Sequence, residues 1–222
     1  MSMASANVEV PFEHFESLEQ QHDAARMGIW LFLVTETLLF GAIFTAFGLY
    51  HHLYPGAFSP ASRGLAWELE AANTVVLLTS GLTMALTDHY AFELRRRKVI
   101  VTLALTILLG LTFLVLKGVE YRGDYLAGSV PFLAGGWHYT GQDPSHAALF
   151  FNFYFLLTGL HASHMVIGIV LLTILLGRAF LWWSPFGVRR MIVGVGIFWA
   201  FIDVAWLFIY SSLYLIDRSG GT

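Results

Sequence analysis

The chain of 222 residues contains no cysteine. Disulfides, thiolate metal sites and thiol redox chemistry are thereby excluded. Charge is scarce as well: 12% of residues are charged, against about 25% in a soluble domain. The net charge is only −3, and no basic patch interleaved with aromatics offers a footing for nucleic acid. A secretory leader is missing from the first residues. Residues 1–21 are polar and acidic (Glu9, Glu13, Glu16, Glu19) where a leader would be basic and then apolar, so they read as a retained surface segment.

What is abundant is apolar: 57% of the residues. They gather in runs of about 20 or more, long enough to cross a hydrocarbon layer about 30 Å thick. Five such runs occupy 27–50, 71–92, 99–119, 149–177 and 191–216. The expected fold is therefore all-α, a polytopic membrane bundle of five transmembrane helices over 27–216. A polar segment, 1–26, precedes it and a short tail, 217–222, follows.

Most connections are short and turn-like. Tyr50-His51-His52-Leu53-Tyr54-Pro55-Gly56 closes the first run with interfacial aromatics and a breaker, and Glu93 to Lys98 forms a tight basic turn. Trp182, Trp183 and Pro185-Phe186-Gly187 mark another interfacial turn. The stretch 121–148 is different: long and rich in Gly, Pro and aromatics, among them Pro131, Gly135-Gly136-Trp137-His138 and Pro144. Loops of this length commonly meet a partner or cap a cleft.

With five spans, the N-terminus shares a side with the second and fourth connections. That side carries Arg26, Arg95, Arg96, Arg97, Lys98, Arg178, Arg189 and Arg190; the other has Arg63, Lys117, Arg122 and Arg218. Eight basic residues against four place the N-terminus in the cytoplasm and the C-terminus and long loop outside.

A few polar side chains fall inside these runs. Glu36 lies about 14 Å into the first span at 1.5 Å per residue, close to mid-membrane. His161, His164 and Asp203 fall in the middle third of their spans, with Asp88 and Glu120 nearer the ends. A charge at the bilayer centre costs about 2.5–3.5 kcal/mol on insertion scales, so Glu36 and Asp203 are expected to face protein. Thr158, His161 and His164 share one helical face by their spacing of three. Three readings of that stripe are open. Haem or metal ligation needs a deep histidine on a second helix, and the other histidines lie at span ends or in connections. A proton relay needs titrating neighbours, which Glu36 and Asp203 would supply. Glue between helices needs only neighbouring carbonyls or carboxylates, and asks the least of the sequence.

Five blocks carry a resemblance to a known family. The first is Met27-Gly28-Ile29-Trp30-Leu31-Phe32-Leu33-Val34-Thr35-Glu36-Thr37-Leu38-Leu39-Phe40. Asn73-Thr74-Val75-Val76-Leu77-Leu78-Thr79-Ser80-Gly81 and Glu120-Tyr121 follow. The fourth is Thr158-Gly159-Leu160-His161, with His164 and Ile167-Gly168, and the last is Phe198-Trp199-Ala200-Phe201-Ile202-Asp203-Val204-Ala205-Trp206-Leu207-Phe208. In this order and spacing the chain resembles subunit III of the haem-copper terminal oxidases, in its short five-helix bacterial form.

The resemblance implies a non-catalytic subunit of an aerobic respiratory oxidase, with no catalytic, cofactor-binding or metal residues of its own. Haem and copper would lie in partner subunits I and II. The chain would pack against subunit I, support proton uptake and hold phospholipid in a V-shaped cleft between helices 1–2 and 3–5. Glu36 matches the family's buried, carbodiimide-reactive glutamate, while Glu36, Asn73, Glu120, His161, His164 and Asp203 would form its buried polar network and line the cleft. The implied location is the inner cell membrane, with a possible further partner at the 121–148 loop. Family frequency favours cytochrome c over quinol as the complex's electron donor. Ala200 departs from the pattern, since the family usually has histidine there. Two other readings share the five-span layout: a haem-b membrane anchor of a respiratory dehydrogenase or reductase, and an accessory protein of nitric oxide reductase.

Overall fold

The computed structural model describes residues 17–133, 137–141, 143–181 and 185–215. Glu9, Glu13, Glu16, Gly135, Gly136, Trp182, Trp183, Arg218 and the 217–222 tail lie outside them. Six α-helices follow one another: α1 (Leu18–Leu53), α2 (Pro55–Arg63), α3 (Trp67–Phe92), α4 (Arg96–Leu126), α5 (Pro144–Leu181) and α6 (Pro185–Tyr210). A π-helical turn, Ser211–Leu215, continues α6. Five of the helical stretches are long and apolar enough to cross a membrane: Glu19–Leu53, Trp67–Phe92, Arg96–Leu126, Pro144–Leu181 and Gly187–Leu215. Each is longer than the apolar run that announced it at one or both ends, because a helix does not stop where the hydrocarbon does.

The chain divides into two compact units, residues 1–39 and 40–222. In the first, the described residues are the N-terminal part of α1. Met27, Leu31 and Leu38 are exposed there, as a helix facing hydrocarbon allows, and Thr35 and Thr37 return their hydroxyls to the Phe32 and Leu33 carbonyls at 2.7 Å.

In the second unit, α3 and α4 form an antiparallel hairpin. Its turn is a Schellman motif: Arg95 N–H donates to the Tyr90 carbonyl at 3.0 Å and Leu94 N–H to that of Ala91 at 3.2 Å. Leu94 takes the left-handed conformation (φ 58°) usually left to glycine. Hydroxyl rungs tie the two helices together, Thr87 donating to Thr102 and Thr83 meeting Thr106, both at 2.8 Å. Each of these threonines also donates to, or accepts from, its own helix or neighbour, so no hydroxyl is wasted in hydrocarbon. Helix α6 closes on α3 through two indoles. Trp199 Nε1 donates to Ser80 Oγ at 3.1 Å and Trp206 Nε1 to Thr74 Oγ1 at 2.9 Å.

The second span, α3, thus packs against the third, α4, and the fifth, α6; the expected lipid cleft between helices 1–2 and 3–5 is not shown.

Pro55 opens a helix where a breaker was expected. As the first residue of α2 it has no N–H to leave unpaired. The helix buries Ala57, Phe58, Ala61 and Ser62, with the Phe58 ring against Phe150 of α5 at 5.5 Å. The long connection also shrinks, because α4 runs on to Leu126 and α5 begins at Pro144. Gly128 (φ 72°) ends α4 in a second Schellman turn, with Ser129 N–H on the Asp124 carbonyl at 2.9 Å and Gly128 N–H on that of Tyr125 at 3.1 Å. A Cβ at Gly128 would press on His138 at 2.8 Å. At the far end of α5, Arg96 reaches across from the start of α4. Its Nε donates to the Ala179 carbonyl at 3.0 Å and its Nη2 to that of Phe180, two carbonyls at a helix end.

The start of α5 is set by Asp143. It accepts from the His146 backbone N–H at 3.3 Å, and its other oxygen meets His146 Nδ1 at 2.6 Å, while the His146 ring stacks on Tyr54 at 3.8 Å. The His146 side-chain bond, first among its causes, holds the Asp143 carboxyl below its ordinary range. A carboxyl lowered on folding stabilises the folded state fully above its unfolded pKa and loses that contribution as pH falls through the folded one. We therefore expect lower amide protection, relative to the intrinsic exchange rate, in the first turn of α5 under acid, and Asp143→Asn should abolish that acid dependence while leaving neutral-pH protection slightly reduced. Hydrogen exchange of residues 146–148 across a pH series reads it; an unchanged acid response in Asp143→Asn would refute the assignment.

Candidate functional site

A cluster of buried polar side chains in the second unit is centred on Lys117. It stands in the apolar run Phe113-Leu114-Val115-Leu116-Lys117-Gly118-Val119, one turn before Glu120 on the same face of α4. Glu70 and Asn73 repeat that spacing on α3 and face it. Lys117 is 2% exposed, Glu70 and Asn73 are fully buried and Glu120 is nearly so.

Lys117 Nζ donates to Glu120 Oε2, to the Tyr214 hydroxyl at 2.8 Å, and stands 3.5 Å from Glu70 Oε1. Tyr214 in turn donates to Glu120 Oε1 at 2.9 Å. Asn73 Nδ2 bridges Glu70 Oε2 at 3.3 Å and the Phe113 carbonyl at 3.5 Å. Four rings surround the ammonium, with centroids at 5.0 Å (Trp206), 5.3 Å (Tyr154 and Tyr214) and 5.8 Å (Tyr121). Each distance lies within cation–π range. The π-helical turn matters to this geometry. It carries Tyr214 and Leu213 inward, where both are buried, and the Leu213 carbonyl accepts from Ser62 Oγ of α2 at 2.7 Å.

A polar chain continues from this centre. Tyr154 of α5 donates to Asp124 Oδ2 at 2.9 Å, Thr158 donates to the Tyr154 carbonyl at 2.6 Å, and the Tyr121 hydroxyl meets Thr158 Oγ1 at 2.6 Å. All four long helices of the unit, α3 to α6, thus converge on one ionic and aromatic cluster. Chemically it is two carboxyl groups about one lysine, whose Nζ bonds to Glu120 and Tyr214 and stands beside Glu70. Such a site locks helices together.

Of the residues singled out from the sequence, Asn73 and Glu120 meet in this cluster. The stripe Thr158, His161 and His164 is buried, as one shared face requires, but the three have separate surroundings. Thr158 belongs to the tyrosine chain. His161 is 1% exposed and neither ring nitrogen has a hydrogen-bond partner. It lies edge-on to Phe113 at 5.5 Å and against Trp206 at 4.9 Å, so whatever it contributes comes through ring packing. His164 donates from Nδ1 to the Leu160 carbonyl at 2.8 Å and packs near Phe40 and Phe198. Asp203 lies apart, between α3 and α6, where a Cβ on Gly81 would collide with its carboxyl. Glu36 is half-buried in the first unit.

Reading the sequence by depth missed Lys117, Glu70, Tyr214, Tyr154 and Asp124. The usable signal was the pair of i,i+3 spacings, Glu70 with Asn73 and Lys117 with Glu120, inside otherwise apolar surroundings.

Among the described residues, no group of three or more His, Asp or Glu side chains could hold a metal ion. Fold and site together define a multi-pass, all-helical membrane protein whose buried polar groups mostly bond one helix to another. Compared with known proteins, residues 13–218 match the family model for cytochrome c oxidase subunit III. The chain is 28% identical over 213 residues to cytochrome c oxidase subunit 3 of Myxine glutinosa, covering 90% of this chain and 72% of that one. To the Danio rerio protein of that name it is 34% identical over 197 residues, covering 85% and 68%, and to the Pongo abelii protein 31% over 201 residues, covering 85% and 68%. The chain belongs to the cytochrome c oxidase subunit III family, whose members assemble with other oxidase subunits.

Proposed function

We propose that this chain is the non-catalytic third subunit of a proton-pumping haem-copper oxidase in the inner cell membrane. It packs against subunit I, leaves haem and copper to subunits I and II, and supports proton uptake during turnover. Phospholipid lies along its exposed apolar helix faces, and the connection before α5 is open to a further partner. Its N-terminus is cytoplasmic and its C-terminus outside, so the Lys117 cluster occupies the outer half of the membrane and the Arg95–Lys98 turn the inner edge.

The observation that favours this reading is the use made of the buried charges. Lys117, Glu70 and Glu120 face one another across α3 and α4, which serves a scaffold, while family membership supplies the complex that the scaffold serves. The deciding experiment compares purified oxidase with and without this chain. Oxygen reduction should start at the same rate in both and decay faster in the depleted enzyme. Undiminished long-term turnover without the chain would sink the proposal, as would a haem Soret band from the isolated chain.

His161 supplies a sharper test. Replacing an unpartnered buried imidazole with leucine removes a polar group that nothing satisfies, which offsets the lost ring packing. His161→Leu should shift thermal stability by no more than about 1 kcal/mol and leave every haem band of the complex in place. Loss of a haem would assign the histidine a ligand role.

A further inference from the structure

Among the described residues outside the Lys117 cluster, one buried acid has a carboxyl oxygen without a hydrogen bond. Asp203 is 8% exposed and its Oδ1 is buried without a hydrogen bond. It opens on a groove of about 490 Å³ between α3 and α6. The groove has a second carboxylate, Asp88, seven residues further along α3 than Gly81, or about 10 Å at 1.5 Å per residue. No basic residue lines it. Its walls are small side chains at four-residue spacing, Gly81 and Ala85 on α3 and Gly196 and Ala200 on α6. Leu78 and Val193 on the rim are exposed.

We propose that this groove seats a transmembrane helix of a partner oxidase subunit, which presents a hydrogen-bond donor to Asp203. The inference rests on the chain acting within an assembled oxidase. Three features select a helix with a donor over a lipid chain. A buried carboxyl in hydrocarbon needs a polar partner, and an acyl chain has none to offer. The groove holds acid and no base, so complementarity asks for a cation or a neutral N–H or O–H. Paired small residues on both walls let another backbone come close, the arrangement that membrane helices use for association. The partner's donor then finishes at mid-membrane a contact that this chain leaves half made.

The test uses the intact oxidase in membranes. With p-benzoylphenylalanine at Leu78 or at Val193, illumination should join this chain to another subunit, and peptide mapping should place the bond in a transmembrane helix of that subunit. Adducts with lipid alone, or with a second copy of this chain, would overturn the proposal. In parallel, Asp203→Leu should cut retention of the chain in detergent-purified oxidase at least ten-fold. Asp203→Asn, which keeps an acceptor oxygen, should hold most of it, and Ala200→Leu should fill the groove and lose retention with Asp203 intact. Wild-type retention in both Asp203→Leu and Ala200→Leu would refute docking here. If the unmodified chain fails to copurify with an oxidase, the functional reading falls too; if it copurifies and the crosslinks lie elsewhere, only the groove assignment falls.

Discussion

Lys117→Met should destabilise the folded chain by about 3–5 kcal/mol, the cost of breaking a buried ion pair by removing one partner. Methionine matches the length of the lysine stem, so the packing against Tyr154 and Trp206 largely survives and the loss is electrostatic. What remains is Glu70 and Glu120 facing each other in a dry interior, with Tyr214 able to donate to only one of them. Thermal unfolding of the chain in detergent, or its resistance to denaturing detergent, reads the difference. The compensating variant decides the cause. Glu70→Gln and Glu120→Gln added to Lys117→Met should recover most of the loss, because replacing a whole buried charge cluster with neutral groups is often nearly neutral. The recovery should far exceed the sum of the single changes, as expected for groups in direct contact. If Lys117→Met costs under about 1 kcal/mol, a value ordinary for a surface pair, the cluster is not the anchor described.

The second large effect concerns Trp199. Its indole is fully buried and is met from two sides by helices without side chains. A Cβ at Gly110 of α4 would stand 2.9 Å from Cη2, and one at Gly168 of α5 the same distance from Cζ3. Its Nε1 is bonded to Ser80 of α3. One ring on α6 therefore touches the three other long helices of its unit. Trp199→Ala should cost about 3–5 kcal/mol, the range for truncating a large core aromatic. Gly168→Val should destabilise more than Gly168→Ala, since overpacking against the ring grows with the volume inserted. Gly177, with open space around its Cβ position, is the control, and Gly177→Ala should be close to neutral or slightly stabilising. Equal stabilities for the Gly168 and Gly177 variants would count against the clamp.

The five membrane helices were legible in the residues because hydrocarbon thickness sets a minimum length and apolar runs of that length are rare by accident. Position along the helices was legible too, since His161, His164 and Asp203 fall well inside α5 and α6. Azimuth was not. A helix that is apolar all round gives no face by periodicity, and residues at one depth were grouped as if they pointed at one another. Asp203 turns toward Gly81, His161 toward Phe113, and His164 toward Phe40, each to a different neighbour. Lys117 was counted among the outer-side charges because nothing local says that a lysine near a helix end will turn inward. Its environment depends on Tyr214, which reaches it only through the π-helical turn at the end of α6. The extra helix α2 was hidden because Pro55 signals both a break and a beginning.

The separations along the chain within the Lys117 cluster carry a consequence for biogenesis. The rungs between α3 and α4 join residues 15 and 23 apart, so that hairpin can zip up as a pair soon after it leaves the ribosome. Glu70, Lys117 and Glu120 come together with it. Tyr214 lies 97 residues after Lys117 and 94 after Glu120, beyond two further membrane helices, and so reaches the cluster well after the hairpin has formed. Until α6 and its π-helical turn arrive, the ion cluster lacks the Tyr214 hydroxyl and two of its four rings, Trp206 and Tyr214. A nascent chain stopped before α6 would therefore hold Glu70, Lys117 and Glu120 in the membrane without the Tyr214 hydroxyl and without the Trp206 and Tyr214 rings, an unfinished charge for quality control to recognise.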